Sequence, residues 1–346
     1  MIPVKSYAAY QSAAPLSAFK FDRREVNDQD ILIDILYCGV CHSDIHQVRS
    51  EWGGSIFPMV PGHEIVGRIS KIGRGVTRFK VGDLAGVGCF VDSCRTCDNC
   101  RENLEQYCRG CIPTYNGFEK DRKTPTYGGY SSQIVVDQFY ALSISPKLSL
   151  ERVAPLLCAG ITTYSPIMHW KIGKGHRLGV LGLGGLGHMA VKFGVAMGAE
   201  VTVLSTSRSK EEDAKKLGAT HFVVTTDNAV MRSQRGTLDF IIDNVSASHD
   251  FNQYLSLLKR DGTLIVVGIP STPAAINNFA LINGRKKIGG SSIGGIKETQ
   301  EMLDYCAQHN IMSDVEVIPI QKINEAYERM IKGDVKYRFV IDMATL

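Results

Sequence analysis

The stretch Leu178-Gly179-Val180-Leu181-Gly182-Leu183-Gly184-Gly185-Leu186-Gly187-His188-Met189-Ala190-Val191-Lys192 restricts the fold more than any other part of the chain. An apolar run enters it, a helix-forming run leaves it, and Gly-x-Gly-x-x-Gly lies between. Gly182 permits the tight turn, Gly184 lets backbone approach a pyrophosphate and Gly187 lets the helix pack close to the strand, while the helix N-terminus attracts negative charge. Alone, such a triplet could be a turn without a ligand. Here further apolar runs follow at 201–204, 222–224, 240–242 and 264–267, alternating with helical segments, as βαβ units of a parallel sheet require. The expectation is a doubly wound parallel sheet over 154–287 whose turn, Gly182 to Gly187 with Leu183, Gly185 and Leu186, holds a dinucleotide.

The strand after that turn identifies the dinucleotide. In an NAD site it ends in an acid, because a carboxylate there accepts hydrogen bonds from the ribose hydroxyls. Here it ends in Ser205-Thr206-Ser207-Arg208-Ser209-Lys210, and Glu200 lies at the opposite end. Ligands bind beyond the carboxyl ends of parallel strands, so Glu200 does not fill the role. Hydroxyls, a guanidinium and an ammonium suit a 2′-phosphate, and NADPH/NADP is the expected cofactor. The alternative for Arg208 and Lys210 is a solvated helix start.

The first 150 or so residues read differently, as short β-type runs such as 31–36 and 134–136 broken by glycine and proline, which suggests a mostly antiparallel β domain. After about residue 287 the βα alternation fades into a helix-like stretch at 323–331 and a β-like run at 338–341, and spacing alone does not assign this tail to either domain. A length of 346 residues, with 44% hydrophobic and 21% charged residues, fits about two folded domains and excludes disordered or fibrous classes. A net charge of +4, spread without runs, excludes nucleic acid and anionic membrane as expected partners. With no apolar span and no basic region leading into an apolar one, the expected compartment is the cytoplasm.

Four of the ten cysteines fall in Cys94-x2-Cys97-x2-Cys100-x7-Cys108. Four thiolates fill a tetrahedral zinc and leave no position for substrate, so this site should be structural, bracing a lobe with little apolar content. Cys111 is a rival for the fourth position. A second set is dispersed: Cys41 in Gly39-Val40-Cys41-His42-Ser43-Asp44-Ile45-His46, His63 and Glu64 in Pro61-Gly62-His63-Glu64, and Cys158 in Leu156-Leu157-Cys158-Ala159-Gly160. Two cysteines and a histidine match a catalytic zinc with one open position, although a lone cysteine is more often an inert buried hydrophobe.

Together these segments, with Pro155-Leu156-Leu157-Cys158-Ala159-Gly160-Ile161-Thr162-Thr163-Tyr164 and Lys336-Tyr337-Arg338-Phe339-Val340, resemble the zinc-dependent medium-chain dehydrogenase/reductase family, in its cinnamyl-alcohol-dehydrogenase branch. The resemblance spans the whole chain. It implies an α/β fold in which a GroES-like, mostly β catalytic domain (1–153 and 288–346) accompanies a Rossmann domain (154–287), with two zinc ions per chain and a homodimer. It implies Cys41, His63 and Cys158 as ligands of the catalytic zinc, Glu64 as a neighbouring carboxylate able to coordinate, and Cys108 rather than Cys111 in the structural site. Asp44 would orient a metal ligand, His42 would lie beside the cofactor pyrophosphate, and Thr162, Ser292, Ile293 and Arg338 would contact the cofactor. Trp52, Cys89 and Ile293 would line the substrate pocket, with Tyr115 a weaker candidate; core packing is the alternative for Trp52.

The implied reaction is NADPH-dependent reduction of aromatic and aliphatic aldehydes to primary alcohols. The proton would travel through the Ser43 hydroxyl, the cofactor ribose and His46, whose reference pKa of about 6.5 allows both protonation states near neutrality. Helix capping is the alternative for Ser43 and a satisfied surface imidazole that for His46. A polyol dehydrogenase is disfavoured by the missing ribose carboxylate and by the setting of Cys158. The complete ligand set disfavours a zinc-free quinone reductase. A non-catalytic NADPH-binding redox sensor would have no use for Ser43, His46 and Glu64.

Overall fold

The strand Asp30–Gly39 is apolar on both faces, and its Ile31 and Ile33 are fully buried. Such a strand must lie inside a sheet rather than on its edge. In the computed structural model, which describes residues 1–270 and 273–346, it pairs along one side with Ile65–Ile72. On its other side it meets Gln133–Asp137 near its start and Arg338–Asp342 near its end. Apart from Gln133–Asp137, which joins only Asp30–Gly39, the seven-stranded sheet runs Val315–Pro319, Arg338–Asp342, Asp30–Gly39, Ile65–Ile72, Leu84–Val87, Leu142–Ser143. All its pairings are antiparallel except that of Val315–Pro319 with Arg338–Asp342. The tail thus returns to the first sheet, through Val340 opposite Gly39 and Ile341 opposite Cys38.

The contacts divide the chain into two units, 1–161 with 294–346, and 162–293. The second unit holds a six-stranded, all-parallel sheet in the order His221–Val224, Glu200–Ser205, Arg177–Leu181, Leu238–Asp243, Leu258–Val266, Lys287–Gly290. Counted along the chain this is 3-2-1-4-5-6, so the topological switch falls between Arg177–Leu181 and Leu238–Asp243, where doubly wound sheets bind nucleotides. Leu181, Leu204, Ile241 and Leu264 pack in one buried cluster beneath it. Among the described residues, no helix is long and apolar enough to cross a membrane.

Candidate active site and nucleotide turn

The helix His42–Val48 begins at Cys41, where the Asp44 carboxylate accepts the Cys41 backbone N–H at 2.9 Å. Asp44 therefore caps this helix and Ser43 does not. Its start presents the Cys41 Sγ 3.9 Å from the Cys158 Sγ, which follows the 3-10 turn Ala154–Leu157. His63 and Glu64 come from the segment leading into Ile65–Ile72. One ligand atom from each of Cys41, His63, Glu64 and Cys158 lies within 4.8 Å of all the others, and all four residues are buried.

Two thiols, an imidazole and a carboxylate crowded out of water are a donor set for a cation. With Zn–S near 2.3 Å, a tetrahedral site separates two sulfurs by about 3.8 Å, close to the 3.9 Å between Cys41 and Cys158. His63 Nδ1 lies 3.2 Å from Asp44 Oδ1, which leaves Nε2 for the set. Burial opposes charge on His63, yet Asp44 beside it raises the imidazole above its ordinary range. The hydrogen bond with Cys158 holds the Cys41 thiol well below the usual thiol range. Burial pushes the Glu64 carboxyl up to about 7, although Arg338 opposes this. Glu64 Oε1 takes the Arg338 guanidinium in a fully buried ion pair, while Glu64 Oε2 and Arg338 Nε lack hydrogen-bond partners. Such an orphaned, buried carboxylate oxygen beside two thiols is itself a mark of a site for a positive ion.

The second thiol set sits on a lobe with few buried groups of its own. Cys94 and Cys100 sulfurs are 3.8 Å apart and Cys97 and Cys100 sulfurs 3.5 Å, again near the tetrahedral spacing. Cys108 completes this group, and Cys111 stays outside it. Backbone N–H groups of Cys97 and Gly110 donate to the Cys94 and Cys108 sulfurs at 3.4 and 3.2 Å. The backbone N–H groups of Thr96 and Cys97 hold the Cys94 thiol down to about 6, whereas burial pushes Cys111 up to about 12.

Around the first set, Ser43 Oγ is 3.6 Å from the Cys41 Sγ. His46 Nδ1 is paired with Glu51, and the Trp52 indole stacks on the His46 ring at 4.8 Å. Trp52 is 41% exposed, so its role is not core packing. Cys89 is half-buried, with its Sγ 3.8 Å from the Leu157 carbonyl, and Tyr115 stacks on His63 at 5.7 Å. His42 is exposed on the first helical turn.

In the second unit, Gly182 has φ +85°, a conformation that glycine adopts without steric cost. A Cβ on Gly187 would strike the Gly182 carbonyl, while one on Gly184 would meet nothing within 4 Å. Ser205 closes its strand, Thr206, Ser207 and Arg208 are exposed beyond it, and Lys210 turns back so that Nζ donates to the Leu183 carbonyl at 3.0 Å. This puts an ammonium on the glycine turn. Glu200 faces His221 at 2.9 Å at the far end of the strand. Thr162 is buried in the helix Ala159–His169, Ser292 is exposed, and Ile293 is half-buried with φ +39°. Sequence reading passed over Tyr130, whose phenol reaches Asp44; nothing in its local sequence sets it apart from an ordinary buried aromatic.

Residues 27–146 match the alcohol dehydrogenase GroES-like domain and residues 185–308 the zinc-binding dehydrogenase domain. The chain is 52% identical to the NADP-dependent alcohol dehydrogenase C 1 of Mycolicibacterium smegmatis over 100% of this chain and 99% of that protein. It is likewise 52% identical to an aldehyde reductase of Escherichia coli, over 99% of each. A probable mannitol dehydrogenase of Medicago sativa is 53% identical, over 99% of this chain and 96% of that one. Among solved structures, a cinnamyl alcohol dehydrogenase from Helicobacter pylori complexed with NADP(H) superimposes with TM-score 0.94 at 45% identity, covering 99% of both chains. The chain belongs to the zinc-dependent medium-chain dehydrogenase/reductase family, in its cinnamyl-alcohol-dehydrogenase branch, and is an oxidoreductase.

Proposed function

We propose that this chain is an NADP(H)-dependent alcohol dehydrogenase acting as an aldehyde reductase, with one catalytic and one structural zinc per chain, on apolar aromatic and aliphatic aldehydes. The observation that carries the reading is the buried convergence of Cys41, His63 and Cys158 with a carboxylate, Glu64, already anchored by Arg338. When bound, zinc in this set polarises a carbonyl oxygen as a Lewis acid, the reduced nicotinamide supplies hydride, and zinc in the four-cysteine set braces its lobe. Cys41, His63 and Cys158 would hold the metal, and Arg338 keeps Glu64 beside them. Ser43, next to the Cys41 sulfur, passes a proton toward the reacting oxygen; His46, oriented by Glu51 and Trp52, exchanges it with water. The Trp52 and Cys89 side chains favour an apolar substrate.

Ser43→Ala should keep two zinc ions per chain while lowering kcat on the order of 10²-fold, the usual scale of a lost proton-transfer group. Steady-state kinetics with metal analysis checks this, and an unchanged kcat with chemistry rate-limiting removes Ser43 from the path. The cofactor reading predicts higher kcat/KM with NADPH than with NADH. Joint replacement Arg208→Ala, Lys210→Ala should cut that preference by about 10–100-fold, the loss of one or two charge-assisted hydrogen bonds. A wild-type preference for NADH would defeat it.

A polyol as the alcohol is the second reading, favoured by the mannitol-dehydrogenase name of the Medicago relative. A kinetic panel of aromatic aldehydes, aliphatic aldehydes and polyols, run in both directions, separates the two. The reading includes a homodimer. Lys287–Gly290 is an outer edge of the parallel sheet, with Ile288 37% exposed and Phe279 and Ile282 of the helix Asn278–Ile282 exposed by 68% and 69%, a surface suited to pairing with a second copy. The cytoplasm is the proposed compartment, because both thiol sets need reducing conditions.

A further inference from the structure

Asp44 is fully buried, and four close polar contacts converge on its carboxylate, with the Tyr115 phenol also beside it. Oδ2 accepts the Cys41 N–H at 2.9 Å and the Tyr130 hydroxyl at 3.1 Å. Oδ1 accepts from the Gly62 N–H at 3.2 Å and faces His63 Nδ1 at 3.2 Å. Two of these donors are backbone groups that the fold supplies, and one is the imidazole itself. The fourth comes from a side chain 86 residues away in sequence, with no exposed surface.

The backbone around Tyr130 is pinned independently of its phenol. Gly128, Gly129 and Tyr130 donate to the carbonyls of Val60, Gly62 and Pro61 at 2.8, 2.8 and 3.0 Å, and the Tyr130 carbonyl accepts the Tyr7 N–H at 2.9 Å. This ladder clamps the segment that leads into His63. The phenol oxygen is thus separable from the clamp: removing it should leave the backbone ladder in place and take one hydrogen bond from Asp44 and one polar neighbour from the Tyr327 hydroxyl.

We infer that Tyr130 is a positioning residue for the metal ligand His63, acting through Asp44. The phenol fixes the carboxylate, the carboxylate fixes Nδ1, and the ring then presents Nε2 to Cys41 and Cys158. Without the phenol, Asp44 keeps its other contacts but is less firmly held, and the aim of the imidazole loosens. Outer hydrogen bonds of this kind typically change metal affinity by about 10–100-fold.

The inference rests on the zinc reading above, and the test separates the two. Holoenzyme is challenged with a chromophoric chelator and zinc release is followed in time. Cys158→Ser, which lacks the open set, identifies the phase belonging to that set, and the four-cysteine zinc serves as control within the same molecule. Tyr130→Phe should speed release from the open set by about 10–100-fold. Release from the four-cysteine set should not change, and the thermal midpoint should stay near that of the wild type. Asp44→Asn should speed the same phase, and the double variant should release no faster than Asp44→Asn alone, as expected of residues acting in one chain. Cobalt in the open set gives an independent reading that needs no Asp44 variant, since its d–d bands should shift in Tyr130→Phe. Wild-type release with an unshifted cobalt spectrum, additive effects of the two substitutions, or faster release from both sets would overturn the role of Tyr130 while leaving the zinc reading intact. A wild-type chain holding only one zinc, in the four-cysteine set, would overturn the zinc reading and this inference with it.

Discussion

Cys158→Ser should lower kcat/KM for aldehyde reduction on the order of 10³-fold, the equivalent of several kcal/mol of lost charge stabilisation, and leave one zinc per chain. The site gives the reason. Cys158 Sγ is one of the two sulfurs in the open set, 3.9 Å from the Cys41 Sγ, and lies at 7% exposure between a 3-10 turn and a helix that fix its backbone. A serine hydroxyl there is a poorer, harder ligand, and the remaining thiol, imidazole and ion-paired carboxylate cannot rebuild the set. The four-cysteine lobe shares no ligand with it, so its metal should remain. Metal analysis beside kinetics checks both halves, and loss of both ions together would show that the two sets are not independent.

Cys100→Ser should act on stability first. Its sulfur lies within 3.8 Å of Cys94 and 3.5 Å of Cys97, near the middle of the set. The helix Asp98–Arg101 and the 3-10 turn Glu105–Tyr107 bury no residue, so little besides the metal closes the loop. Structural zinc supplies about 10–16 kcal/mol of apparent binding energy in isolated fingers. Even a third of that, at about 2–4 °C per kcal/mol, lowers the thermal midpoint by roughly 10 °C. Calorimetry of the variant beside wild type measures this, and an unchanged midpoint with zinc lost would show that the lobe stands without its metal.

Features written in neighbouring residues were legible from sequence. The strand, glycine turn and helix at 177–196 lie within a single βα unit, and the four-cysteine set closes within fifteen residues. The dispersed set was not legible from spacing, because Cys41 and Cys158 are 117 positions apart and only the fold brings them to 3.9 Å. Family resemblance linked them; residue chemistry alone offered two cysteines and a histidine among many. The tail shows the same limit. Its period marked a strand at 338–341, but its partners, Gly39 and Cys38, lie some three hundred residues upstream. The resemblance implies Arg338 as a cofactor contact, but its buried ion pair with Glu64, 274 positions away, is written nowhere in the spacing. Tyr130 carried no signal at all, because a buried tyrosine is defined by what its oxygen meets, not by its neighbours in sequence.

The pairing of Arg338–Asp342 with the central strand sets the order of assembly during synthesis. Residues 162–293 can complete their sheet while the ribosome is still translating the rest, since every strand they need has already emerged. The first sheet must wait for its last partner, and until Arg338 emerges, Glu64 sits without its cation. Completion of the metal-binding half therefore comes after the strands of the nucleotide half are all available.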